Sequence, residues 1–284
     1  MRKVLSVLSL LLLLAACHGG RHPKPVTPDK PVAFPMVTVP GVITDKAEAA
    51  AYMTEHFWDR MKTLSNVDTV SLEEAVGTWT SLLTTCPREV GAKAVPALVS
   101  RLEKLPDGEA GPLLALVERY LYDPNSPVRD EDYYGLLARD LSTSSMTPDS
   151  LRVYYTYQAS KCTLNAVGTP AADFLFTDKG GRVRSLYSVT ADRLLLIFGN
   201  PECSACRELH GAIEEMEEIR NKVSRGEIVI LEINPDADAV AKQETDRFYH
   251  IRAIPSMYLL DADKTVLLKD VPVERILRAL QPIN

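Results

Sequence analysis

Cys203-Ser204-Ala205-Cys206 is the segment of this chain best equipped for chemistry. Two thiols spaced by two residues at the start of a helix can close a small disulfide ring, because the second lies about one turn deeper. A thiol in the first helical turn also meets unpaired backbone N–H groups and the positive end of the helix dipole, and both favour thiolate. Cys203 is therefore the expected nucleophile and Cys206 the resolving thiol, and the chemistry is thiol–disulfide exchange through a mixed disulfide. Glu202 opposes thiolate formation at Cys203, whereas Arg207 favours it. His210 lies four residues beyond Cys206 on roughly the same helical face. Two thiolates and one imidazole fall short of the four ligands of a structural zinc site, so no metal is expected and metal handling is the lesser reading. The exchange itself needs no cofactor beyond the two cysteines. A permanent disulfide in a protein that only binds is the bland alternative.

The pattern from about Val167 onward supplies elements to position that pair. DFLFTD, Gly180-Gly181 and VRSLYSV read as a hairpin, and ADRLLLIFGN as a strand buried on both faces. CSACRELHGAIEEMEEIRNKV reads as one amphipathic helix, EIVILEINPD as a second buried strand and DADAVAKQETDRFYH as a helix. IPSMYLLDAD and KTVLLKD form an antiparallel pair, and PVERILRALQ closes with a helix.

Between about Ile43 and Cys162 the apolar spacing is helical instead, for example in SLEEAVGTWTSLLTTC, VPALVSRLEKL and GPLLALVERYLY. Five or six helices are expected, with Ser71 and Glu74 as a capping box and Thr147-Pro148-Asp149 as another helix start. Trp58, Trp79 and Tyr133-Tyr134 read as bundle aromatics. Cys86 and Cys162 either pair, stapling two helices, or remain small buried hydrophobes. The fold class is thus α+β with two domains: an all-α domain over 43–165, then an α/β domain with a central mixed sheet over 166–284.

The chain begins MRKVLSVLSLLLLLAAC, with Arg2 and Lys3 ahead of a 13-residue apolar run ending at Ala16. That run is short for a membrane span and fits a signal peptide over 1–16. Leu14-Ala15-Ala16-Cys17 resembles a bacterial lipobox, which implies diacylation of Cys17 and a membrane partner through the lipid. Residues 17–42, rich in Pro and isolated basic residues, read as an extended tether. The expected location is the cell envelope, outside the cytoplasm, where disulfides persist. The absence of an acidic run after Cys17 favours a periplasm-facing anchor.

Composition removes several other classes. A hydrophobic fraction of 46% and a charged fraction of 25% exclude a disordered, collagen-like or polytopic membrane chain. The net charge of −6, without a Lys/Arg cluster, excludes nucleic acid as the main partner.

The order of strand, C-x-x-C, helix, strand and helix, followed by the Ile-Pro of HIRAIPSMYLLDAD, resembles the thioredoxin superfamily. With the added hairpin and tether it looks like the TlpA-like branch. The resemblance implies a cis Pro255 packed against the disulfide, with Ile254 and Pro255 in the substrate groove. It also implies protein thiols and disulfides as substrates, and a separate electron-transfer partner. The helical half, with DPNSPVRDEDYY and NAVGTPAADF, resembles a domain of unknown function that precedes thioredoxin-like domains in Bacteroidota lipoproteins. Three positions depart from the superfamily pattern: Glu202 replaces the usual Trp, Ile197 replaces the buried acid, and Ser-Ala fills the C-x-x-C. Glu232 on the next strand can stand in for the acid, although a solvated strand-end charge is the simpler reading. Peroxidase chemistry is disfavoured, because Pro201 stands two residues before Cys203 with no Thr between. The expected function is a lipid-anchored thiol–disulfide oxidoreductase with the direction of electron flow open, against a non-catalytic binding or scaffolding lipoprotein.

Overall fold

Asp68 starts the longest helix of the N-terminal half by accepting a hydrogen bond from the Ser71 amide at 2.9 Å, the N-cap role for which a short carboxylate is suited. The computed structural model describes residues 30–281, so the expected signal peptide and lipidation site, Cys17 included, lie outside the described residues. Six helices follow in turn: α1 (Lys46–His56), α2 (Thr69–Thr85), α3 (Arg88–Leu102), α4 (Ala110–Tyr122), α5 (Glu131–Thr143) and α6 (Asp149–Cys162). Their shared core holds Phe57, Trp58, Trp79, Leu98, Leu121 and Tyr134. Each large apolar side chain fully buried in this way stabilises the fold by roughly 1.5–3 kcal/mol. The Ser71–Glu74 capping box does not form. Ser71 Oγ instead accepts from the Phe34 amide at 2.7 Å, and Phe34 enters the core, only 5% exposed. Residues 31–42, read as the end of the tether, are thus fastened at Val32 and Phe34, where Val32 also bridges Val67.

The C-terminal half is a hairpin and a four-stranded sheet. β1 (Leu175–Thr177) pairs antiparallel with β2 (Val183–Ser185). β3 (Arg193–Phe198), β4 (Ile228–Ile233), β5 (Ser256–Asp261) and β6 (Val266–Lys269) order as β4-β3-β5-β6, parallel only between β3 and β4. β3 reads as an unbroken apolar run because its alternating side chains face two cores. Leu194, Leu196 and Phe198 pack with Phe174, Tyr249 and Tyr258, while Leu195 and Ile197 pack with Leu209, Ile213 and Met257. Helices α7 (Ser204–Glu215), α8 (Glu217–Ser224), α9 (Ala239–Phe248) and α10 (Val273–Leu280) complete the order. The expectation of an all-α half followed by an α/β half with a mixed sheet is what the chain adopts. No helix of the described residues is long and apolar enough to cross a membrane.

Two expectations need correction, and one open alternative is decided. The helix after the cysteines is two helices, broken at Met216, whose ψ of 93° leaves the helical region. Ile213 and Ile219 are about 1.7 turns apart on a continuous helix, so the break is what lets both enter the same core. β4 is the sheet's edge and only half-buried, not a strand covered on both faces. Cys86 and Cys162 are not joined: Cys86 Sγ lies 3.1 Å from Thr54 Oγ1, and Cys162 is buried elsewhere.

Candidate active site

The pairing of β3 on both edges fixes where the chain leaves the sheet, and both cysteines follow within eight residues of that point. Gly199 extends the ladder by donating to the Ile233 carbonyl at 3.0 Å. The turn after it is closed locally: Asn200 Oδ1 accepts from Glu202 N at 3.0 Å and its carbonyl accepts from Cys203 N at 3.1 Å. Cys203 then caps α7, its Sγ accepting from the Cys206 amide at 3.1 Å. That amide is one of the otherwise unpaired donors at a helix start, so negative charge on Cys203 sulfur has a donor already aimed at it.

Cys203 and Cys206 are joined as a disulfide with Cα atoms 5.2 Å apart. Cys203 is half-buried and Cys206 only 1% exposed. The outer sulfur is the one a second protein can reach, and the inner one can be reached only from Cys203. Arg207 does not face the sulfurs as a free cation, since its Nη1 donates to the Pro201 carbonyl at 2.8 Å and braces the turn.

Gly199 is required by close approach. A Cβ there would stand 2.9 Å from Cys206 Sγ and 3.4 Å from Glu232 Oε1, so both atoms lie over the same side of this glycine. Glu232 sits opposite Ile197 in the β3–β4 register, and its other oxygen lies 3.0 Å from His210 Nε2. Glu232 is thus an exposed charge near the end of its strand, and its Oε1 lies over the same side of Gly199 as Cys206 Sγ. A cavity of about 660 Å³ opens here, lined by Gly199, Pro201, His210, Glu232 and the β1–β2 hairpin.

On the other side of β3, Ser256 pairs with Phe198, which places Pro255 across from Gly199. The Ile254–Pro255 bond is cis, as the resemblance implied, and Ile254 is 39% exposed. The next strand contributes Asp270, whose amide donates to the Met257 carbonyl at 2.7 Å. Gly199, Pro255 and the 270–271 turn thus stand side by side at one end of the sheet.

Sequence reading missed the residues that tie this end to the helical half. Arg252, three positions before Pro255, pairs with Asp270 at 2.9 Å, lies 3.8 Å over the Tyr122 ring centre and donates to the Tyr122 carbonyl. Arg129 donates to the carbonyls of Asp270 and Val271, each at 3.0 Å. Burial pushes the Asp270 carboxyl above the usual carboxylate range, although Arg252 and Arg129 pull against it. The only sequence signal was the Arg and Asp content of loops, which a solvated surface shows equally.

Glu131, Cys162 and His250 also converge, with ligand-type atoms all within 4.8 Å of one another. Lys269 Nζ stands 3.4 Å from Glu131 Oε2 and donates to the Cys162 and Leu164 carbonyls at 2.8 and 2.7 Å. Lys269 is thus the buried basic residue against this cluster, and burial pushes the Cys162 thiol well above its usual range.

The family model described as Domain of unknown function (DUF5106) matches residues 16–162, and that described as Thioredoxin-like domain matches residues 165–281. No curated protein matches the chain. A solved thioredoxin-like protein from Bacteroides caccae ATCC 43185 is 26% identical, covering 87% of this chain and 97% of that one, with a TM-score of 0.74. The C-terminal domain of an uncharacterized protein from Bacteroides fragilis NCTC 9343 is 29% identical over 42% of this chain and 99% of that one, TM-score 0.38. A thiol:disulfide interchange protein from Bacteroides sp. is 18% identical over 40% of this chain and 88% of that one, TM-score 0.27.

Proposed function

Since the chain belongs to the DUF5106 family and continues into a thioredoxin-like domain, we propose that it is a thiol–disulfide oxidoreductase acting on proteins outside the cytoplasm, held to a membrane by a lipid on Cys17. The observation that carries this reading is the pairing of a reachable sulfur at a helix N-terminus with a buried one beneath it. The lipid anchor and envelope location rest on the sequence alone, on the apolar run and the Leu-Ala-Ala-Cys that ends it.

In the reducing direction, the Cys203 thiolate attacks a client disulfide. A mixed disulfide forms and the first client sulfur leaves as thiolate. Cys206 then gives up its proton, for which Glu232 is the nearby base, directly or through one water. Its sulfur attacks Cys203, the second client sulfur departs, and the enzyme keeps the 203–206 disulfide. Two electrons have passed from the enzyme dithiol to the client, and an electron-transfer partner must restore them. The oxidising direction is the same sequence reversed.

Cys203→Ser is the test. The variant is expected to keep its fold and lose the ability to reduce a protein disulfide such as that of insulin. Activity that survives this change, or a wild-type protein with none, contradicts the reading and leaves a binding lipoprotein.

A further inference from the structure

The two turns that follow Gly199 across this end of the sheet are both held by the helical half, through polar groups rather than apolar ones. One is 252–255, leading into Pro255; the other is 270–271. Arg129, from the segment joining α4 to α5, bonds to both carbonyls of the second turn. Tyr122, at the end of α4, gives its ring face and its carbonyl to Arg252, and Arg252 in turn ties the first turn to the second through Asp270. His250 adds a 2.6 Å contact with Glu131 at the start of α5.

Burying such pairs is an expensive way to join two domains. The Arg252 and Asp270 side chains are only 10% and 9% exposed, and a buried ion pair often stabilises no more than an apolar pair of the same size. What directional bonds supply is register, because a guanidinium fork accepts its partners in one geometry. The register fixed here is that of the turns at the end of the sheet from which the chain enters the Cys203 segment.

We propose that the helical half is part of the client-binding groove: Tyr122 and Arg129 set the two turns beside the disulfide, and residues 123–129 form the groove's outer wall. The occupant is an extended polypeptide on either side of the reacting cysteine, since a small disulfide ends before it reaches a wall beyond Asp270 and Val271. Arg129 is a positioning residue in this scheme and touches no reacting atom. The proposal rests on the exchange reading above.

The experiment compares Arg129→Ala with wild type on two substrates, insulin and hydroxyethyl disulfide, with a thermal melt to confirm folding. The expected result is a KM for insulin raised about tenfold, equivalent to about 1.4 kcal/mol of lost binding. kcat and the rate with the small disulfide should stay within about twofold. Arg129→Lys, which keeps the charge and loses the fork, is expected to fall between the two and serves if the alanine variant does not fold. Equal loss on both substrates, or no change on either, overturns the proposal while leaving the exchange reading in place. A wild-type protein that reduces neither substrate overturns both.

Discussion

Cys206 Sγ and Glu232 Oε1 crowd the same side of Gly199, 2.9 Å and 3.4 Å from where a Cβ would stand. The missing side chain of Gly199 thus leaves room for both the Cys206 sulfur and the Glu232 carboxylate. Gly199→Ala pushes a methyl group against a sulfur that the disulfide prevents from moving away. The expected cost is about 1–3 kcal/mol, as for other overpacked interiors. It should be larger in oxidised than in reduced protein, which thermal melts under the two conditions would compare. Equal melting shifts in both states would show that the sulfur does not set the space.

Glu232→Gln keeps the shape and removes the base. The proposed mechanism predicts slower attack of Cys206 on the mixed disulfide by about tenfold, below the range of a direct proton transfer because the carboxylate is half-exposed. First attack by Cys203 should be unaffected. Rapid-quench alkylation separates the two steps, and equal slowing of both would remove Glu232 from the proton's path.

Asp130, next to Arg129, also joins the halves, bonded by Arg88 at 3.0 and 3.1 Å and approached by Arg275 at 3.3 Å. Burial alone would raise its carboxyl, but the two guanidiniums win and hold it below the usual 3.8. A depressed carboxyl contributes stability that is present above its unfolded value and lost as pH falls through the folded one. Asp130→Asn should therefore cost about 3–5 kcal/mol at neutral pH, the cost of breaking a buried pair. The difference from wild type should narrow below about pH 4. Denaturant melts at pH 7 and pH 3 check both; a difference independent of pH would contradict the assignment.

Ser71 and Glu74 distinguish the two accounts of the start of α2. With Asp68 as the cap and Ser71 holding Phe34, Ser71→Ala is expected to cost about 1 kcal/mol, the net worth of one hydrogen bond. Glu74→Ala should change stability by less than about 0.5 kcal/mol, as an exposed substitution does. A capping box would make both costly.

What could be read in the sequence was whatever leaves a local pattern. The unbroken apolar run from Leu194 to Phe198 marks a strand with a core on each face, and the Cys203–Cys206 spacing marks its own chemistry. The break at Met216 was hidden because apolar residues continue on both sides, and only the sheet decides that Ile213 and Ile219 share a core. Cys86 and Cys162 carry no distance in the sequence. Arg129, Arg252 and Asp270 looked like ordinary loop charges, since each finds its partner far along the chain. For the same reason Glu232 could be suspected on its strand but could not be brought over Gly199 until β3 and β4 were in register.

The central claim is that the 203–206 pair cycles. Equilibrium titration against glutathione, read by thiol alkylation, tests it most directly. The account predicts a reversible two-electron couple between about −270 mV and −120 mV, the span of known thiol–disulfide oxidoreductases. The lower end would mark a reductase, and the upper end an oxidant. A disulfide that stays closed, or a dithiol that stays open, across that whole range would contradict it.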